Sequence, residues 1–261
     1  MDLFKIKKMT LSKIIINSVF MFVALALNSQ ELIHAGKYDD LKLAPKIAIA
    51  GGGTLMDWAN MNFYEASNQE LKNIDDPNRV VFMGNSITQQ WSRFDPDFFT
   101  ENSFVNRGIG GQTSPQMLIR FRSDVIDLNP KAVVIMAGTN DIAKNTGPIS
   151  IENTANNIIS MAEIAIANNI DVYICSTLPA IDFLWSPGQE PASKVIKLNS
   201  ILEKYCNDSG LAYVNYYTTM SDSMGGLKVP EYTAKNDLVH PNFAGYKEME
   251  RIILSVLKLQ N

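Results

Sequence analysis

The chain has 261 residues, 46% of them apolar and 19% charged, and a formal net charge of −4. Such a balance allows one sizeable buried core and argues against nucleic acid or an anionic membrane surface as partner. With two histidines and two cysteines there is little material for a metal cluster, so no metal and no cofactor is expected.

The first 29 residues read as a signal peptide. Lys5, Lys7, Lys8 and Lys13 form a basic start, Ile14 to Leu27 is a short apolar stretch, and Ala24-Leu25-Ala26 offers a small-x-small cleavage site, with Ser29 as another. A membrane span needs about 20 apolar residues. This stretch is shorter and is interrupted by Asn17 and Ser18. An exported chain, periplasmic or secreted, with no stable membrane insertion after cleavage is therefore expected. No cysteine stands near the junction to carry a lipid.

Residues 30–78 form an N-terminal arm. It is irregular to about residue 55, and the spacing of Trp58, Met61, Tyr64 and Leu71 predicts an amphipathic helix over 57–72. Asp75-Asp76-Pro77-Asn78 ends it.

From residue 79 to 261, apolar strands alternate with helices. Val80 to Met83, Phe104-Val105, Ala132 to Ala137, residues 170–175 and Leu211 to Val214 read as strands. Residues 114–127, 151–168 and 192–207 read as helices, with a last helix from Pro241 to about Leu257. Strands that are apolar throughout belong to a parallel sheet covered on both faces. The fold class is therefore α/β: a doubly wound, flavodoxin-like sandwich with about five parallel strands. Ligands in such sheets bind at the carboxyl ends of the strands.

Four islands fall at those ends. Gly84-Asn85-Ser86 follows the first strand, so Ser86 stands near a helix start with its own N–H free. A plain helix cap would use the same residues. Asn106 to Thr113, with glycines at 108, 110 and 111, follows the second strand. It starts like a dinucleotide loop, but Thr113 occupies the third glycine position; Gly51-Gly52-Gly53 fails likewise at Met56. Gly138-Thr139-Asn140-Asp141 follows the third strand, where a simple turn is the alternative. Asp237-Leu238-Val239-His240-Pro241 precedes the last helix, with Pro241 suited to its first position. A carboxylate three residues before a histidine can accept from Nδ1–H and turn Nε2 toward a serine. Since His34 lies by the signal junction, His240 is the histidine available as a base.

A long loop over 180–190 carries Phe183 and Trp185, which could stack on a sugar ring, line an acyl pocket or pack as a lid. Trp91 reads as core. Cys175 and Cys206 read as two buried thiols, although export would permit a disulfide.

The four islands together resemble the SGNH (GDSL-type) esterase family over about residues 79–261, and the Asn106-to-Gly111 and Gly138-to-Ile142 runs look most like its platelet-activating-factor-acetylhydrolase-like branch. The resemblance implies Ser86 as nucleophile, His240 as general base and Asp237 as the acid that orients it. It implies an oxyanion hole of the Ser86 and Gly111 amides and the Asn140 side chain. It further implies removal of a short acyl group, acetyl, from a carbohydrate, with a small-molecule or polysaccharide ester as substrate. The family usually has Asp where this chain has Asn85, and Gln112 replaces another usual Asp. Two alternatives stand beside this expectation: a lysophospholipase or lipase-type acylhydrolase, and a non-catalytic carbohydrate-binding protein on the same fold.

Overall fold

The computed structural model describes residues 52, 54 and 57–257. The expected signal peptide and the irregular first part of the arm lie outside the described residues. Among the described residues, no helix is long and apolar enough to cross a membrane.

Five strands make one sheet: β1 (Val80–Gly84), β2 (Phe104–Gly108), β3 (Ala132–Ile135), β4 (Asp171–Cys175) and β5 (Ala212–Val214). All neighbours pair in parallel, in the order β2-β1-β3-β4-β5. This is the flavodoxin-like order expected from the sequence. β1 and β3 are buried along their whole length because both sheet faces are covered.

Two sets of helices provide that cover. On one side α2 (Ser86–Phe94) packs on β1 and β2, with α3 (Pro96–Thr100) beside it and α9 (Phe243–Val256) on α2 and β5. Trp91 of α2 is core, as expected: it is 1% exposed, stacks on Phe98 with ring centroids 5.3 Å apart, and donates to Glu250 of α9. On the other side stand α4 (Ser114–Asp124), α6 (Ile151–Ala167) and α7 (Pro191–Ser209). Short helices α5 (Thr139–Ile142) and α8 (Tyr217–Met220) follow β3 and β5.

The arm departs from the single helix predicted over 57–72. A turn at 57–60 leads into a 3₁₀ turn, Met61–Tyr64, and only Glu65–Lys72 is α-helical (α1). Asn60 adopts a left-handed conformation, φ 54°, which an α-helix cannot continue through. The last helix also starts later than predicted. Asn242, whose side chain accepts from Gly245 N–H, caps it, so Pro241 lies outside rather than at the first helical position.

Cys175 and Cys206 are buried free thiols. Burial pushes the Cys175 thiol up to about 12 and Cys206 up to about 11, so neither forms a reactive thiolate near neutrality.

Candidate active site

The carboxyl ends of β1, β2 and β3 converge where the strand order switches, and each contributes a loop. After β1, Asn85 takes a non-helical conformation and its side chain accepts from Ile87 N–H at 3.1 Å. Ser86 is thereby the first residue of α2. Its N–H is one of the donors that helix geometry leaves without an intrahelical partner. The cap and the half-buried serine are thus the same device.

The β2 loop reaches this turn by close backbone approach. A Cβ on Gly108 would lie 2.2 Å from the Gln89 nitrogen and 2.7 Å from the Asn85 carbonyl oxygen, so only glycine lets the two chains meet. Gln89 accepts from Gly110 N–H at 3.0 Å. Gly111 follows with φ 78°, and no described hydrogen bond takes its N–H. Asn145 donates to the Gly111 carbonyl at 3.1 Å. After β3, Gly138 turns with φ 112° into α5, where Asn140 donates one amide hydrogen to the Gln112 carbonyl at 2.9 Å and keeps the second. Next to it, Asp141 accepts from both N–H and Oγ–H of Ser114 at the start of α4. Burial outweighs those hydrogen bonds and raises the Asp141 carboxyl to about 6.

The fourth piece comes from far along the chain. In the turn before α9, Asp237 Oδ1 accepts from the His240 N–H at 2.9 Å, and Leu238 takes the left-handed conformation, φ 68°, unusual for a bulky residue. His240 Nδ1 lies 2.9 and 3.0 Å from the two Asp237 carboxylate oxygens. Its Nε2 lies 2.8 Å from Ser86 Oγ. Thr233 Oγ1 donates to the His240 carbonyl and fixes the backbone from behind.

Hydroxyl, imidazole and carboxylate therefore form one hydrogen-bonded line beside N–H donors at Ser86, Gly111 and Asn140. Such a set can activate a hydroxyl for attack on a carbonyl and hold the negative charge that develops. An open cleft of about 380 Å³ surrounds it, lined by Ser86, Gln89, Gln90, Gly110, Gly111, Asn140, Asn145, Trp185 and His240. Among the described residues, no group of three or more His, Cys, Asp or Glu side chains could hold a metal ion.

All five residues expected from the sequence for the triad and oxyanion hole line or adjoin this site. Of the two loop aromatics, only Trp185 does: it is 46% exposed and its indole donates to Asn145 Oδ1 at 3.0 Å. Phe183 corrects the expectation. It is fully buried, and its ring backs Trp185 at 5.1 Å between centroids, because the loop folds its wholly apolar ring into the core and leaves the indole, with its N–H to satisfy, outside. Gln89, Gln90 and Asn145 were not expected from the sequence. Gln89 could have been found, since a residue three after Ser86 lies on the same face of α2. Asn145 sits in an irregular turn and carries no local signal.

The model of the GDSL-like Lipase/Acylhydrolase family matches residues 82–248. A crystal structure from Bacteroides fragilis NCTC 9343, described as an acylhydrolase, is 48% identical. It covers 76% of this chain and 96% of its own, with a TM-score of 0.72. A GDSL-like lipase from Bacteroides thetaiotaomicron VPI-5482 is 45% identical over the same shares, with a TM-score of 0.71. Among curated relatives, the uncharacterized lipoprotein YqeF of Bacillus subtilis is 33% identical over 81 residues, 30% of this chain. The match spans only 33% of that relative's length. The chain belongs to the GDSL-like lipase/acylhydrolase family, a family of carboxylic ester hydrolases.

Proposed function

We propose that the protein is a serine esterase that removes short acyl groups, acetyl above all, from carbohydrates. The reading rests on the line Ser86 Oγ to His240 Nε2 to Asp237, 2.8 Å and then 2.9 Å, in a cleft that Ser86, Gly111 and Asn140 also line. His240 takes the Ser86 proton as Oγ bonds to the ester carbonyl carbon. The carbonyl oxygen becomes an oxyanion held by the Ser86 and Gly111 N–H groups and the free Asn140 amide hydrogen. His240 then gives its proton to the leaving alcohol as the acyl–oxygen bond breaks. Water, deprotonated by His240, repeats the attack on the acyl-serine and releases the acid. Asp237 keeps Nε2 toward Ser86 and stabilises the imidazolium.

The cleft supports a small acyl group and a polar alcohol. Among the described residues its lining is amide-rich, with Trp185 as an aromatic platform beside Gln89, Gln90, Asn140 and Asn145 rather than aliphatic side chains that would grip a long acyl chain. The reading includes export, which the basic and apolar pattern of residues 1–29 supports.

The test is hydrolysis of p-nitrophenyl acetate, butyrate and octanoate by the wild type, Ser86→Ala and His240→Ala. Acetate preference lost in both variants is the expected result and would justify a screen of acetylated polysaccharides. A steep rise toward octanoate would replace the carbohydrate reading with a lipase reading. No turnover by folded wild type would leave a glycan-binding role.

A further inference from the structure

Among the described residues ahead of β1, none hydrogen-bonds to Ser86 or His240, yet their hydrogen bonds converge on the end of β2, the loop after it and α4. Tyr64 Oη donates to the Gly108 carbonyl at 2.5 Å. Gln112 Nε2 donates to the Ala59 carbonyl at 2.7 Å, and Gln116 Nε2 to the Trp58 carbonyl at 2.9 Å. Asn68 accepts from Arg107 Nε at 2.9 Å and donates to Asp124 at 2.7 Å.

A buried guanidinium carries these contacts into the site. Arg120 is fully buried on α4. Its Nε donates to Gln112 Oε1 at 2.6 Å, its Nη1 to Asp124 at 2.8 Å and its Nη2 to the Gly84 carbonyl at 2.9 Å, two residues before Ser86. The Gln112 backbone carbonyl in turn holds the Asn140 side chain. Gln112 is therefore the joint. Its amide oxygen takes the arginine, its amide nitrogen takes the arm, and its main chain takes Asn140. A carboxylate at this position could accept from Arg120 but has no hydrogen to give to Ala59. A buried network of this kind holds geometry only while every member is satisfied.

We propose that residues 58–68 are a positioning element of the oxyanion hole, acting through Gln112 and Arg120 on Gly111, Asn140 and the Ser86 turn. The inference rests on the esterase reading for its kinetic consequence. Displacing a catalytic group by about 1 Å from outside the chemistry can cost up to about a hundredfold in rate.

The test uses two mild variants of the full chain. Tyr64→Phe removes one hydroxyl and keeps the ring. Gln112→Glu keeps the acceptor for Arg120 and removes the donor to Ala59. Each is expected to lower kcat on p-nitrophenyl acetate about tenfold with KM within about twofold. Each is also expected to speed amide hydrogen exchange across residues 108–112 while that of β3 stays as in the wild type. A purely structural arm would lower the melting temperature and leave both readouts alone. Unchanged kcat in either folded variant, with wild type active, overturns the proposal. Wild type without any turnover would sink the esterase reading instead. In that case exchange at 108–112 decides alone: faster exchange supports the positioning element, and unchanged exchange overturns it.

Discussion

Asn85 is where this chain departs most visibly from the pattern it otherwise resembles, and its surroundings tell what the change costs. It is 2% exposed, and its Oδ1 accepts from Ile87 N–H, which a carboxylate would do equally well. It takes no part in the Ser86–His240–Asp237 line. The negative charge an aspartate would add lies at a helix N-terminus, which favours it by about 0.3–1 kcal/mol. Burying that charge at a position 2% exposed opposes it. These two effects act on the fold and partly cancel, and the reacting line excludes Asn85, so Asn85→Asp is expected to change kcat by less than about tenfold in either direction, while Ser86→Ala removes about a thousandfold or more. Steady-state hydrolysis of p-nitrophenyl acetate by both variants is the check. A rise of several hundredfold in Asn85→Asp would mean that Asn85 had silenced the site.

At the scale of elements, the proposed base is set by how α9 begins. Asn242 accepts from Gly245 N–H at 2.9 Å, and its Nδ2 donates to the carbonyls of Pro230 and Glu231 at 3.1 and 3.2 Å. The cap thus clamps the 230–240 loop to the helix two residues after His240. Asn242→Ala is expected to lower stability by about 1 kcal/mol in urea unfolding and kcat by about 3–10-fold, because His240 loses its fixed backbone. Asn242→Asp keeps the cap and lacks the two donations, so it should regain stability more than rate. Equal recovery of both would refute the clamp. This helix also shows what periodicity can and cannot read. Its apolar spacing shows its existence and its end, whereas its start is moved past Pro241 by the cap at Asn242, whose side chain also holds the preceding loop. Leu238 is similar: nothing local in Asp237-Leu238-Val239-His240 demands a left-handed leucine. The turn adopts it because Asp237 must accept from both the His240 backbone and ring.

For the molecule as a whole, sheet order and site location were legible because they follow from one pattern. Uninterrupted apolar strands require cover on both faces, and a parallel sheet puts every loop of one polarity at the same end. Ser86, Gly111, Asn140 and His240 lay at those loops and so fell together. The arm's role and Asn145 were not legible, since they depend on partners 34 to 53 residues away, whereas Gln89 was within reach of helical spacing from Ser86. Phe183 was misread because sequence alone does not say which of two loop aromatics turns inward. The same long-range assembly leaves a measurable mark on stability. Asp141 is buried to place Asn140 beside Gln112 and to receive Ser114, and burial lifts its carboxyl from 3.8 to about 6. A group raised on folding stabilises most below its unfolded value and loses that contribution as pH climbs through its folded value. For Asp141 the window runs from about pH 4 to about pH 6, and the loss across it is about 2–3 kcal/mol. Asp141→Asn carries no such proton. Its stability relative to wild type is therefore expected to be worst near pH 4 and to improve by that amount by pH 7, as the wild-type carboxylate ionises in place. Urea midpoints of the two proteins at pH 4.5 and 7.5 measure this directly. A difference that stays flat between those values would show that the hydrogen bonds from Ser114 offset the burial of the charge.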